Sequence, residues 1–325
     1  MRILPIDLDD PGDLVTGLHD AFVTGSAEDA GPMVSLPWFS YLVTTGGPGE
    51  RAEAWVATEG GKVMGGYALA LSQHDNTHMG WLFPLVVRPE RRGRGLGKAL
   101  FGHAVERLRA HGRTLLLGEA LAGSSAARFA AARGMTVALA QARRTLDLRT
   151  ADWAALERLR PEVDGYHLER WIGPAGPEEL LGDLATLMDG MNDAPRDADI
   201  EDMRFSVDRL RAREESLPLT RLTCYTMIAR RSSDGAPAGY TRILLDADRS
   251  DGWGHQADTA VLREHRGHRL GLLLKVANLL WLREHEPHLE RVITWNATSN
   301  AHMLAINEAM GFELFDEWSE WRLAL

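Results

Sequence analysis

Of 325 residues only one, Cys224, is a cysteine, which excludes an internal disulfide and any cysteine-rich zinc site. Lysine is almost as scarce. Lys62, Lys98 and Lys275 are the only three among 36 basic residues, so arginine carries the positive charge. Long apolar runs are also missing. The best stretch, 270–282, contains Lys275 and Asn278 and falls short of the roughly 20 residues that a membrane span needs. The opening MRILPIDLDDPGDL has neither the basic start nor the apolar run of a signal peptide. The expectation is a soluble, cytoplasmic protein with no membrane partner. Positive charge is in deficit, 36 basic against 46 acidic residues for a net charge of -10, which argues against a nucleic-acid partner held by phosphate neutralisation. His285 and His288 flank Glu286-Pro287 without forming H-E-x-x-H, and no metal is expected.

What remains is ordinary for a folded protein: 45% hydrophobic and 25% charged residues, with a length that suggests two domains. In the first half, the apolar run WLFPLVV at 81–87 leads through Arg88-Pro89-Glu90 into Arg91-Arg92-Gly93-Arg94-Gly95-Leu96-Gly97. Leu96, Leu100, Ala104 and Leu108 follow at helical spacing. A short strand is predicted over 114–117, a helix over 124–133 ending at Gly134 as a glycine C-cap, and one or two strands within 135–148. The order recurs. A strand over 258–262 precedes Arg266-Gly267-His268-Arg269-Leu270-Gly271, then an apolar helical stripe through Leu270, Leu273, Leu274, Ala277, Leu280 and Trp281. A strand over 291–295 and a helix over 299–310 close the pattern at Gly311. Arg92 and Arg266 are 174 residues apart, Gly134 and Gly311 177. So small a drift reads as a tandem duplication. Upstream, helices are predicted over 13–24 and 37–45 and strands over 52–58 and 63–71. Their counterparts are helices over 178–191 and 200–215 and strands over 221–231 and 239–246. The expected domains are 1–148 and 149–325, each an α/β layer on a mixed, mostly antiparallel sheet flanked by helices.

A strand that runs into a glycine-rich turn opening a helix suits an anion, because backbone N–H groups converge at the positive helix end. A P-loop fails on Arg92 and Ala99, which stand where Gly and Ser or Thr are needed. The dinucleotide fingerprint fails on glycine spacing and on the loop's late position in the chain. The pattern that fits is Arg92-x-x-Gly95-x-Gly97 after a Val-Val-Arg-Pro strand end. It resembles the acetyl-CoA loop of the GNAT superfamily of N-acetyltransferases, whose pattern is Gln or Arg, two residues, Gly, one residue, then Gly or Ala. The resemblance implies that the loop amides cradle the CoA pyrophosphate. It also implies that the preceding strand bulges and splays from its neighbour to admit the pantetheine arm, and Pro84 suits a disrupted strand. The acetyl-CoA site it implies in the first half comprises Leu85, Val86, Val87, Arg92, Gly93, Arg94, Gly95, Leu96, Gly97 and Lys98. In the second half it comprises Val261, Arg266, Gly267, His268, Arg269, Leu270 and Gly271, with Asn300 holding the pantetheine arm. Arg269 departs from the family's middle glycine.

Acetyl transfer needs a neutral amine against the thioester, donors for the oxyanion and a destination for protons. The tyrosine that often serves as general acid in this superfamily falls on Ala130 and Asn307, so neither half has it. Asn307 can still hydrogen-bond near the CoA sulfur. His255 and Asp258 are the candidate bases, with histidine titrating near neutral pH, and Glu119 is a weaker one. His265 and His268 read as solvated, and Asn300 also reads as a helix cap. The expected function is acetyl-CoA-dependent N-acetylation of a primary amine on a small molecule by direct attack in a ternary complex. The second half is the expected catalytic one, and the chain a monomer or homodimer. The alternative is a non-catalytic acyl-CoA sensor or scaffold.

Overall fold

A computed structural model describes residues 2–27, 29–47, 49–173, 178–249 and 251–325. The chain divides into two compact units, 1–139 with 318–325 and 140–317. The sequence reading cuts the chain after Leu148 instead.

The first unit contains β1 (Arg2–Pro5), α1 (Gly12–Gly25), α2 (Leu36–Thr45), β2 (Glu50–Glu59), β3 (Lys62–Ser72), β4 (Met79–Val87), α3 (Leu96–Ala110), β5 (Leu115–Leu121) and α4 (Ser125–Ala132). Its strands run in the order β1, β2, β3, β4, β5, followed by the last strand of the chain, β12 (Glu313–Ala324), whose Trp318–Ala324 pair with β5. Among the described residues of this unit, β4 and β5 form the parallel pair. Strict alternation sends Tyr67, Leu69 and Leu71 of β3 to one face, where Leu100 and Leu108 of α3 cover them. The other face carries Val56 and Ala68 against Leu18 of α1 and Phe39 and Val43 of α2. Each face buries a row of apolar side chains, the dominant favourable term in folding.

The second unit holds residues 140–147 of β6 (Thr136–Asp147), α5 (Trp153–Leu159), β7 (Tyr166–Ile172), α6 (Leu181–Asp189), α7 (Val207–Thr220), β8 (Thr223–Arg231), β9 (Pro237–Leu245), β10 (Trp253–Val261), α8 (Leu270–His285), β11 (Arg291–Ala297) and α9 (Ala301–Ala309). Its strand order is β7, β8, β9, β10, β11, β6, with β10 and β11 the parallel pair. Helix α8 packs Leu273, Leu274 and Val276 on one face of the sheet. Helices α6 and α7 cover Ile228, Tyr240 and Ala260 on the other.

Several expected boundaries move. The helix expected over 200–215 begins at Val207, where the Ser206 hydroxyl accepts from Arg209 N–H at 3.1 Å, and runs through Pro218 to Thr220. The stretch before it is held by side chains instead, Asp197 accepting from Asp199 N–H in a local turn and Asp189 at the end of α6 accepting from Phe205 N–H. The region 135–148 is one strand, not two. Strands β1, β7 and β12 are absent from the sequence reading. β1 has only four residues, and β7 and β12 interleave charges with their apolar positions. Among the described residues no helix is long and apolar enough to cross a membrane.

Candidate active site

The two glycine-rich loops have the same backbone. Arg92 Nε donates to the Val87 carbonyl at 3.2 Å, and Arg266 Nε to the Val261 carbonyl at 3.1 Å. Each arginine thereby folds the loop back onto the end of its own strand. The second guanidinium nitrogen of Arg92 reaches the Gly25 carbonyl at the end of α1. That of Arg266 pairs with Asp193, which Arg263 also grips. Hydrogen bonding from Arg263, then from Arg266, holds the Asp193 carboxyl at about 2.

Positive φ falls at matching places, Gly93 (74°) with Gly267 (85°) and Gly95 (85°) with Arg269 (58°). Arg269 therefore keeps the left-handed conformation of the family's glycine. Gly95 and Arg269 stand at the N-caps of α3 and α8, where no side chain caps the helix. First-turn amides have no acceptor within a helix, so those of Leu96, Gly97 and Lys98, and of Leu270 and Gly271, remain for an anion. Helices α4 and α9 differ, being capped by Ser124 and Asn300. At Gly97 an added Cβ would sit 3.4 Å from Phe129, and at Gly271 3.4 Å from Ile306.

The strands in front of the loops splay. β4 pairs with β5 only over Met79–Trp81, and β10 with β11 only over Trp253–Gln256. In both units the strand also bulges against its other neighbour, between Leu82 and Leu85 in β4 and between Gln256 and Thr259 in β10. Aligning Val87 with Val261 through these ladders sets Pro84 against Asp258, Gly66 against Tyr240 and Ala68 against Arg242. The bulge between Ala57 and Thr58 then matches the one between Ala229 and Arg230.

The chain is 30% identical to a tandem GNAT protein from the clavulanic acid biosynthesis pathway over 99% of its own length and 98% of that protein's, with a TM-score of 0.82. The chain belongs to the GNAT acetyltransferase family. The acetyltransferase (GNAT) family model matches residues 27–135, which lie in the first unit. A GCN5-related N-acetyltransferase from Sphaerobacter thermophilus shares the fold at 16% identity and a TM-score of 0.66, covering 99% of this chain and 95% of that one. A GCN5-related glucosamine N-acetyltransferase region of a fungal multi-domain β-N-acetylglucosaminidase gives the same TM-score at 14% identity, covering 99% of this chain and 38% of that one. No curated protein sequence gives a significant match. This chain is thus a tandem GNAT acetyltransferase.

The expected GNAT catalytic residues occupy different settings. Asp258 sits in the β10 bulge, part exposed, 3.9 Å from an Arg213 guanidinium nitrogen. His255 lies on β10 with its ring stacked on Trp295 at 6.3 Å and 11° between planes. Burial pushes its imidazole down to about 4, so it is neutral at pH 7 rather than titrating there. Asn307 is fully buried and spends its amide on Asn296, Nδ2 donating to Oδ1 at 2.7 Å. Asn300 caps α9 with its side chain, accepting from Met303 N–H at 3.2 Å. His265 is buried against the Tyr166 hydroxyl at 3.0 Å, contrary to the solvated reading, while His268 is exposed. Cys224 is buried in β8, and burial raises its thiol pKa.

A polar group beside Asp258 escaped the sequence reading. Arg242 of β9 and Glu214 of α7, each 2% exposed, pair at 3.1 Å on the sheet face under α6 and α7. Burial first, then the Asp258 charge, pushes the Tyr240 phenol well above its usual value. An arginine inside the apolar strand run Gly239–Leu245 was the available signal. In the first unit the matching face is filled by Leu18, Phe39, Val56 and Ala68. A cleft of about 460 Å³ lined by Ile6, Thr44, Arg51, Glu53 and Trp55 shares no residue with the 92–98 loop. Among the described residues no group of three or more His, Cys, Asp or Glu could hold a metal ion.

Proposed function

We propose that the chain transfers the acetyl group of acetyl-CoA to a primary amine of a small molecule, by direct attack in a ternary complex, with the chemistry in the second unit. In this reading the CoA pyrophosphate lies on the loop amides, over Gly93 to Lys98 in the first unit and over Gly267 to Gly271 in the second. The pantetheine arm fills the gap where β10 leaves β11. Asp258, on the bulge at that gap, takes a proton from the acceptor ammonium. The amine nitrogen then attacks the thioester carbonyl, the C–S bond breaks, and the proton the nitrogen sheds on becoming an amide passes through water to the departing thiolate. In this reading His255 is left out of the proton transfer because burial lowers its basicity, and Asn307, whose Nδ2 donates to Asn296, is left out because a carboxamide does not titrate.

The observation that carries the choice of unit is the contrast across the two bulges. Asp258 of the second unit answers to Pro84 of the first, and Arg242 to Ala68. Proline and alanine can move no proton. The first unit, with its complete glycine motif, serves in this reading as a CoA-binding unit that stabilises the fold through bound ligand.

The test is thiol release from acetyl-CoA with a panel of amines. Asp258→Asn should lower kcat on the order of 10²–10⁴-fold while CoA affinity holds. Gly271→Glu should abolish turnover by repelling the pyrophosphate, with Gly271→Ala as the steric control for Ile306. If Gly97→Glu alone abolishes turnover, the units are assigned the wrong way round. CoA binding without turnover on any amine would favour the sensor reading.

A further inference from the structure

Resting on the acetyl-transfer reading above, we propose that the acceptor is a carboxylate-bearing primary amine of the α-amino-acid class. Its carboxylate would be read by Arg213, Tyr240 and Arg242, and its amine by Asp258 and Glu214. The argument starts from atoms the fold leaves unmet. Arg242 Nε and Glu214 Oε2 are buried without a hydrogen-bond partner, and the Tyr240 hydroxyl beside them is buried facing Asp258. Tyr240 and Arg242 alternate onto one face of β9, and Glu214 reaches that face from α7. A buried polar atom left without a partner is costly, so a donor and an acceptor unmet on one ion pair mark a place completed by a group from outside.

The chemistry of that group follows from what is offered. Arg242 Nε is a donor, Glu214 Oε2 an acceptor, and the tyrosine hydroxyl either. At the part-exposed edge stand Arg213 and Asp258, held at 3.9 Å, at the limit of an ion pair. Two guanidinium groups and two carboxylates therefore face one spot. A plain amine would satisfy the carboxylates and leave the arginines unmet, and a plain acid would do the reverse. A zwitterion meets both sets. The spacing also selects. Arg242 stands opposite the bulge that contains Asp258, and neighbouring strands lie about 5 Å apart. An amine and a carboxylate separated by one or two carbons match that interval. The first unit has Gly66, Ala68 and Pro84 at the corresponding places, so only the second unit has this selectivity.

The test titrates the full-length protein, saturated with CoA, with a pool of the twenty common L-amino acids and separately with their carboxamides, by calorimetry. Thiol release from acetyl-CoA is measured in parallel. The amino-acid pool should bind at least about tenfold more tightly than the carboxamides, as expected where buried polar groups read the ligand. Arg213→Gln should erase the difference. Because Arg242→Met alone would strand Glu214, the double variant Arg242→Met/Glu214→Leu is used, and it should melt normally yet bind neither pool. Equal binding of both pools, no binding of either, or a preference that survives both variants overturns the proposal. Selective binding without acetyl transfer would leave the proposal standing and remove the acetyl-transfer reading. Acetylation of amines and carboxamides alike would do the opposite.

Discussion

Replacing Lys275 with methionine should stabilise the protein at neutral pH. Lys275 lies on α8, 1% exposed, with the Phe312 ring centroid 5.5 Å from its ammonium nitrogen. Among the described residues no carboxylate pairs with it, and burial pushes its ammonium down to about 7 from 10.5. A folded-state pKa below the unfolded value means that the unfolded chain binds more protons between those limits. Stability therefore rises with pH from about 7 to about 10.5, and below 7 the penalty is full and constant. At about 1.4 kcal/mol per pH unit, a protonated Lys275 costs the fold on the order of 5 kcal/mol. Methionine is similar in length, apolar and adaptable, so Lys275→Met should gain about 3–5 kcal/mol at pH 7. Urea denaturation of parent and variant at pH 7 and pH 10 measures this. The gain should nearly vanish at the higher pH. A variant less stable than its parent at pH 7, or a gain equal at both pH values, would refute the reasoning.

Three further outcomes are expected. Arg269→Gly should raise stability by up to about 1 kcal/mol in a thermal melt, since a side chain in the left-handed region is strained; a clear loss would mean that the Arg269 side chain makes an important contact. Glu214→Ala leaves Arg242 buried and unpaired and should cost about 3–5 kcal/mol, whereas removing both charges together should cost far less, as denaturant midpoints will tell. Glu53, part buried, accepts from Arg107 at 2.8 and 2.9 Å and from His111 at 2.5 Å; burial opposes its charge, but those partners bring its carboxyl down to about 2. That stability is present above about 4.5 and lost as pH falls toward 2, so the deficit of Glu53→Gln, about 2 kcal/mol at pH 7 after allowing for solvent screening, should shrink steadily in acid.

The loops were legible in the sequence because glycine is the residue that tolerates positive φ, and Gly93, Gly95 and Gly267 adopt it. The repeat was legible for the same reason: Gly134 and Gly311 terminate α4 and α9 with φ of 81° and 89°. Strand β12 was not, since Glu313, Asp316, Glu317 and Glu320 interrupt its apolar positions. The polar group around Arg242 stayed hidden for a different reason. Its members come from α7, β9 and β10, and nothing in their spacing announces that register brings them to one face. His255 shows the same limit: its type suggests titration near neutrality, while the burial that lowers its pKa is a property of packing.

The strand that pairs with β5 in the first unit is translated long after the rest of that unit. Residues 318–325 leave the ribosome ~180 residues after 139, a delay of roughly 10–40 s at typical synthesis rates. Until then the outer edge of β5 is a bare row of peptide donors and acceptors of the kind that recruits stray strands. The first unit therefore completes only after the second has emerged, and deleting residues 318–325 would damage the first unit rather than the second. The first unit is discontinuous in sequence, so a cut after Leu148 would leave it without its residues 318–325.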